Sequence, residues 1–327
     1  MENKVKTIET GSKIRLFAKN NQINMVLIIS VGLFLLNVII NPKSFNVNAF
    51  GAIFALTSML TIAAAGQTLV VISNGIDMSV GAIMSMTALI TVSVMGGQEG
   101  RLLIALFYSV VVGMIIGFCN GIGTSTIGLP PMIVTMSIAN VVTRLQYVFT
   151  QGKPSGTASK AFTATLQYRV FGIFPTVILY ALAYFGIVFY ILNRTRFGQQ
   201  LFLTGNNSRA AYLTGIKTVK IKILTYVIAG ILSGLAGFLG AGYMNFVMCQ
   251  AFDTYTMMSI VAVVIGGTLL TGGKGSYLGT AAGALLMTVL SNFLAVLNLP
   301  QSIRDIIMGI VLIAILAIYN RSEPIRQ

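Results

Sequence analysis

From Asn24 to Tyr319 the chain is a succession of apolar runs, most of them about as long as a helix needs to cross a bilayer, divided by short polar connections. A helix rising 1.5 Å per residue covers a hydrocarbon core of about 30 Å with roughly 20 residues. Runs of this kind occupy 24–40, 49–72, 76–95, 102–123, 131–150, 174–193, 223–243, 257–271, 277–297 and 303–319. They predict an all-α polytopic integral membrane protein of about ten transmembrane helices. Only 9% of residues are charged and 56% are hydrophobic, whereas a soluble domain carries about 25% charged residues. Little of the chain remains for a soluble domain.

The net charge of +14 does not point to nucleic acid, because the 21 Lys and Arg lie mostly between the apolar runs. There they report topology through the positive-inside rule. With both termini in the cytoplasm, fourteen basic residues fall inside and six outside, with Arg144 within a span. The expected layout is a cytoplasmic tail 1–23, a transmembrane domain 24–320 and a cytoplasmic tail 321–327, in a bacterial plasma (inner) membrane. An inner connection at 194–222 and an external loop at 151–175 are the two long connections. The segment after the first run, NPKSFNVN, is no signal-peptidase site, so that run reads as a retained helix. Histidine is absent, which removes Ser-His and Cys-His catalysis, histidine metal sites and histidine proton relays. Cys119 and Cys249 fall on opposite sides of the membrane and read as packing residues rather than a disulfide.

Polar residues that interrupt apolar material carry the remaining signal. In ISNGIDMSVG, Ile72 to Gly81, Asp77 is placed to cap a helix beginning near Met78 by accepting from the amide of Ser79 or Val80. Asn74, Gly75 and Gly81 suit a tight turn and close helix approach. An intramembrane acid is also a candidate for a substrate pathway. A similar turn recurs as VVIGGTLLTGGKGSYLG, Val263 to Gly279, where Gly272, Gly273 and Lys274 form the polar centre, and the echo suggests an internal repeat. Its GGKGS fails the phosphate-loop pattern GxxxxGK[ST], since Thr268 holds the first glycine position and Gly275 follows Lys274. The chain therefore shows no nucleotide site, and ATP with magnesium would belong to a partner.

Thr57, Thr61 and Thr68 share one helical face, and Asn140, Arg144 and Tyr147 share another. With Asn292 they are candidates for the lining of a translocation path. Interhelical hydrogen bonding explains such stripes equally well. Arg144 is the exception, because a guanidinium in a span must face protein or water, or reach for the interface.

The inner connection, RTRFGQQLFLTGNNSRAAYLTGIKTVKIK, has six basic residues and no acidic one. Its SRAAYLTGIK reads as a small-residue helix start, a glycine turn and basic flanks. Arg209, Ala210, Ala211 and Gly215 are the expected contacts of a cytoplasmic coupling helix, between the sixth and seventh spans, with an ATPase. A loop that merely obeys the inside rule accounts for the charges but not for Ala-Ala-x-x-x-Gly.

Four segments, TLVVISNGIDMSVGAIMSMTALI, PPMIVTMSIANVVTRLQYVFTQGKPSG, NRTRFGQQLFLTGNNSRAAYLTGIKTVKIKI and VIGGTLLTGGKGSYLGTAAGALLMTVLSN, together resemble the permease subunit of monosaccharide ABC importers of the ribose type. They stand in the family's order and cover most of the chain from Thr68 to Asn292. The family's usual GGIDLSVG is here NGIDMSVG, with Asn74 for glycine and Met78 for leucine. Arg144 matches a family arginine, followed here by Leu145 rather than glycine, and Arg209 stands where the broader coupling motif has glutamate. The resemblance implies a second permease chain as a homodimer or heterodimer, and a cytoplasmic ATPase with two nucleotide-binding modules. It also implies an extracytoplasmic, periplasmic or lipid-anchored, sugar-binding protein that delivers a monosaccharide. Chemistry would reside in the ATPase, and this chain would be no enzyme.

Permeases for nucleosides and branched-chain amino acids share this architecture and remain alternatives. An ion-coupled secondary transporter would need a carboxylate at the midplane, and Asp77, Asp253 and Asp305 fall near span ends. An intramembrane serine protease would need a base beside its nucleophile, and no histidine supplies one.

Overall fold

The computed structural model describes residues 22–42 and 45–320. The basic residues of the expected tails, Lys4 to Lys19 and Arg321 with Arg326, and also Lys43, lie outside the described residues. Helices occupy all ten apolar runs: α1 (Gln22–Ile40), α2 (Val47–Ile72), α3 (Val80–Met95), α4 (Leu102–Ser125), α5 (Pro131–Thr150), with α6 (Lys160–Gln167) following on the connection 151–175. Then come α7 (Val177–Arg194), α8 (Arg196–Asn206), α9 (Ser208–Leu213), α10 (Thr218–Met244), α11 (Thr254–Ile265), α12 (Tyr277–Val296) and α13 (Gln301–Asn320). Among the described residues seven helices are long and apolar enough to cross a membrane, namely α1, α2, α4, α5, α7, α10 and α12, while α3 and α11 are apolar but shorter. The connection 151–175 also holds a small antiparallel hairpin, β1 (Arg169–Val170) with β2 (Phe174–Pro175), in which Arg169 pairs with Pro175.

Two helices depart from the expected bounds, each because of its turn chemistry. α3 starts at Val80 rather than near residue 76, because Asn74 takes φ 63° and the chain does not resume helical hydrogen bonding until after Ser79. α11 ends at Ile265 rather than near residue 271, because Gly266 closes it and Gly267 turns the chain away at φ 90°. Polar caps define other starts: Asn46 accepts from the Ala49 amide at 2.8 Å, and the Ser159, Thr195, Asn207 and Ser276 side chains do the same for α6, α8, α9 and α12.

The core is built around α2, α3 and α10, which are buried over most of their lengths. α4 packs along α10 through glycines, and the contact is backbone against backbone: a Cβ on Gly113 would strike the Gly230 carbonyl, and one on Gly230 would strike the Gly113 carbonyl. In lipid, where apolar side chains gain nothing by leaving the solvent, such close approach is what holds helices together. α1, α4 and α7 turn large apolar side chains outward, including Ile28, Phe107 and Ile187. The cysteines are both free; Cys119 is exposed on α4 rather than packed, and Cys249 is partly buried near Thr150 Oγ1.

Candidate functional site

The turn between α2 and α3 buries Ser73, Gly75, Asp77 and Ser79 and leaves Asn74 exposed. Asp77 is fully buried, and its Oδ1 accepts from the Ser79 amide at 2.7 Å and from Ser79 Oγ at 2.6 Å. Ser79 Oγ in turn accepts from Asn120 Nδ2 of α4 at 2.8 Å. The expected amide contact is present, but Asp77 stands two residues ahead of the N-cap, which is Ser79. Thr135 of α5 ties the same turn by accepting from the Met78 amide and donating to the Ile76 carbonyl. Gly75 lies against the Tyr226 ring of α10, where any Cβ would collide with the phenol. Gly81 lies against the backbone of Phe252 and Asp253, and its amide donates to Thr256 Oγ1 at 2.9 Å. Asn120, Thr135, Tyr226 and Thr256 are absent from the sequence-level set, because nothing local ties them to residues 40 to 180 positions away.

The second turn, 266–276, meets the first. The Gly273 amide donates to the Ile72 carbonyl at 2.9 Å, and a Cβ on Gly272 would clash with Asn74 and with the Gly205 carbonyl. Gly205, the penultimate residue of α8, lies in the same junction, pressed against the Ile72 carbonyl and the Gly273 amide. Lys274 is exposed beside it. Three backbones thus converge where the two turns join the helix that leads into α9.

The threonine stripe on α2 faces inward. Thr68 is fully buried, donates to the Ala64 carbonyl at 2.7 Å and meets Thr280 Oγ1 of α12 at 2.9 Å. The Thr61 carbonyl accepts from the buried Tyr277 hydroxyl at 3.1 Å, and the Thr57 hydroxyl is buried without a partner among the described residues. Asn292 of α12 accepts from Asn37 Nδ2 of α1 at 2.8 Å, an interhelical bond. On α5 the arrangement is reversed: Asn140, Arg144 and Tyr147 are exposed, with Tyr147 donating to Gln250 Oε1 at 3.3 Å. The buried side of the same helix carries Gln146, which donates to the Ala82 carbonyl at 3.3 Å and accepts from the Gln250 amide at 2.9 Å.

Between α8 and α10 the short helix α9 is capped by Asn207, whose side chain accepts from the amides of Arg209 and Ala210. Arg209 and Ala210 are exposed, and Gly215 turns the chain at φ 88° with open space around it. Ala211 is buried against its own chain at 5% exposure, so it does not offer surface to another protein. The outward positions are Tyr212 and Leu213, 68% and 80% exposed, which the small-residue reading passed over.

The sequence matches the family described as branched-chain amino acid transport system / permease component over residues 49–316. It is 30% identical over 310 residues to the autoinducer 2 import system permease protein LsrC of Yersinia pseudotuberculosis serotype O:3 (strain YPIII), across 93% of this chain and 86% of the relative. The protein of the same name from Yersinia pestis (strain Pestoides F) is also 30% identical, with the same coverage of both chains. No solved structure matches.

Proposed function

The chain belongs to the branched-chain amino acid transport system permease family, and from that membership we propose that it is the membrane-spanning permease subunit of an ATP-driven importer, crossing the membrane ten times with both termini cytoplasmic. It forms, with a second permease chain, the path for a small hydroxylated solute of the monosaccharide class handed over by an extracytoplasmic binding protein. Autoinducer 2, for which the LsrC relatives are named, is the first compound to assay. ATP and magnesium act in a separate ATPase, whose closure is transmitted through the connection 194–222.

The observation that carries this reading is α9. A six-residue helix with Tyr212 and Leu213 turned outward sits between the amphipathic α8 and the apolar α10, on the most basic connection of the chain. Exposed apolar side chains on a short rigid element suit a cleft in a partner protein. The junction of Gly205 with Ile72 and Gly273 gives that element a direct mechanical link to both turns.

The test is Tyr212→Ser with Leu213→Ser, compared with Arg209→Gln. Both outward side chains lie outside the apolar core, so membrane abundance stays normal. Recovery of the ATPase in pull-downs and solute-stimulated ATP hydrolysis fall, by about tenfold or more for an interface hot spot worth 2 kcal/mol. Arg209→Gln changes either readout little, because an exposed charge contributes about 0–1 kcal/mol. Intact recovery and intact uptake in the double variant would place the coupling contact elsewhere, with the Lys274 turn as the next position to examine. Uptake that survives loss of ATP and collapses with an ionophore would instead favour an ion-coupled carrier.

A further inference from the structure

The hairpin that leads into α7 carries a side chain that its own chain does not account for. In the segment YRVFGIFPT, 168–176, the Ile173 amide donates to the Val170 carbonyl at 3.3 Å and closes a turn whose central residues are Phe171 and Gly172. Both take positive φ, 54° and 72°. Turns of that kind are dominated by Gly, Asn and Asp, and a bulky residue with positive φ is an outlier. Phe171 gains no burial in return, since it is 92% exposed. Tyr168, Ile173 and Phe174 are exposed beside it. Backbone strain held in this way clusters where a segment engages something beyond itself.

The place of the hairpin says what covers it. It lies against the flank of α2: the Ile173 carbonyl faces Gly51, Phe174 meets Phe54 with ring centroids 5.1 Å apart, and Arg169 donates to Asn48 Oδ1. α2 has 26 residues. At 1.5 Å per residue it measures about 39 Å, roughly 9 Å more than a hydrocarbon core of about 30 Å. Gly51 and Phe54 stand about 6 and 10 Å along it from Val47, so the hairpin falls at the hydrocarbon edge rather than out in water. The neighbours at this level face lipid. Phe50 of α2 meets Phe34 of α1 at 4.6 Å and Phe45 at 5.9 Å, and the hairpin runs directly into α7, which turns Leu179 and Leu182 outward. Aromatic and apolar rings settle at this depth of a bilayer. A protein arriving from water meets loop ends, not the flank of a spanning helix. The segment 168–176 has no acidic residue, and its one cation, Arg169, is turned toward Asn48.

We propose that the hairpin is seated in the bilayer interface, with the Phe171 ring at the boundary between phospholipid headgroups and acyl chains. The surface is continuous with the apolar outward faces of α1 and α7, and lipid supplies the contact that the strained turn lacks within the chain. The seat also reaches the centre of the molecule. Just ahead of the hairpin, Gln167 donates to the Tyr243 carbonyl at 2.8 Å, and Phe162 and Leu166 of α6 lie against Gly242 of α10. Lipid thus holds one end of a segment whose other end rests on the most central helix.

The test uses the full-length chain in nanodiscs of phosphatidylcholine and phosphatidylglycerol, with no other protein added. The chain has no tryptophan, so Phe171→Trp is its single indole fluorophore. Its emission is blue-shifted from that of free N-acetyltryptophanamide and resists quenching by iodide. It loses more emission to phospholipid brominated near the headgroup than to phospholipid brominated at mid-chain. Ile187→Trp, near the middle of α7, shows the reverse order. Where tryptophan at 171 lowers recovery of monodisperse protein, a nitroxide on Phe171→Cys, in a Cys119→Ser and Cys249→Ser background, gives the same decision. It collides with dissolved oxygen in preference to a water-soluble nickel chelate.

Emission at the free-indole position with full quenching by iodide overturns the proposal, because the ring then stands in water. Blue-shifted emission that neither iodide nor either brominated lipid reaches also overturns it, because the ring is then covered by protein, of this chain or a second copy. None of these readouts needs ATP, a partner subunit or uptake, so they stand apart from any failure of the importer reading.

Discussion

Asp77 and Arg144 are both ionisable side chains set in apolar sequence, and the fold treats them in opposite ways. Asp77 is drawn into the centre, where the Ser79 amide and hydroxyl donate to one of its oxygens and Asn120 extends the chain of bonds. Arg144 is left on the outside of α5 with no partner among the described residues. A short acid in a turn reaches donors two residues away through one oxygen, Oδ1, while its Oδ2 is buried without a partner among the described residues, so most of its contact can form during folding of the single chain. A guanidinium with five donors needs more than one helix face can give. The contrast divides the polar residues into those that hold this chain together and those that wait for something beyond it.

The largest break in that contrast is Asp77→Leu. It removes the acceptor from the buried Ser79 amide and hydroxyl, and each buried donor left alone costs about 1–3 kcal/mol. The amount of monodisperse permease recovered in detergent falls sharply. Asp77→Asn retains an acceptor and keeps most of the folded protein; normal assembly with abolished uptake in Asp77→Asn would show that the charge itself acts in transport.

Gln146→Leu comes next. It sits on the buried side of α5, two positions from Arg144, and clamps Ala82 and Gln250. Losing both bonds lowers stability by about 1–3 kcal/mol, seen as a lower melting midpoint. Arg144→Gln, by contrast, changes stability by no more than about 0.5 kcal/mol, as for other exposed positions, while uptake falls. A destabilised Arg144→Gln would mean that the arginine is bonded within its own chain and would erase the distinction between the two sides of α5.

The ten apolar runs were legible because bilayer thickness imposes a length that the sequence displays directly. The Asp77 contact with Ser79 was legible for a similar reason, since it spans two residues. Its continuation to Asn120 was not, because a partner 41 residues away leaves no local mark. The direction of α9 was hidden as well. Six residues are too few to show an apolar face, so Ala211 read as surface while Tyr212 and Leu213, which point outward, read as background. The threonines of α2 and the polar residues of α5 look alike in sequence; only packing shows that Thr68 meets Thr280 while Asn140 has no hydrogen-bond partner among the described residues.

The smallest expected effect tests how the turn between α2 and α3 is built. Asn74 takes φ 63°, a left-handed conformation in which a Cβ is strained and which glycine and asparagine tolerate best. The resembling family has glycine at this position, and asparagine is the next most permissive residue. Asn74→Gly therefore changes stability by less than about 1 kcal/mol, the relief of left-handed strain being offset by the greater freedom of glycine in the unfolded chain. Asn74→Val, with a branched Cβ beside Gly272, destabilises by more than Asn74→Gly does. Melting midpoints of the two variants in the same detergent decide the matter. If valine proved as good as glycine, Asn74 would not be held in the left-handed region, and the late start of α3 would need another cause.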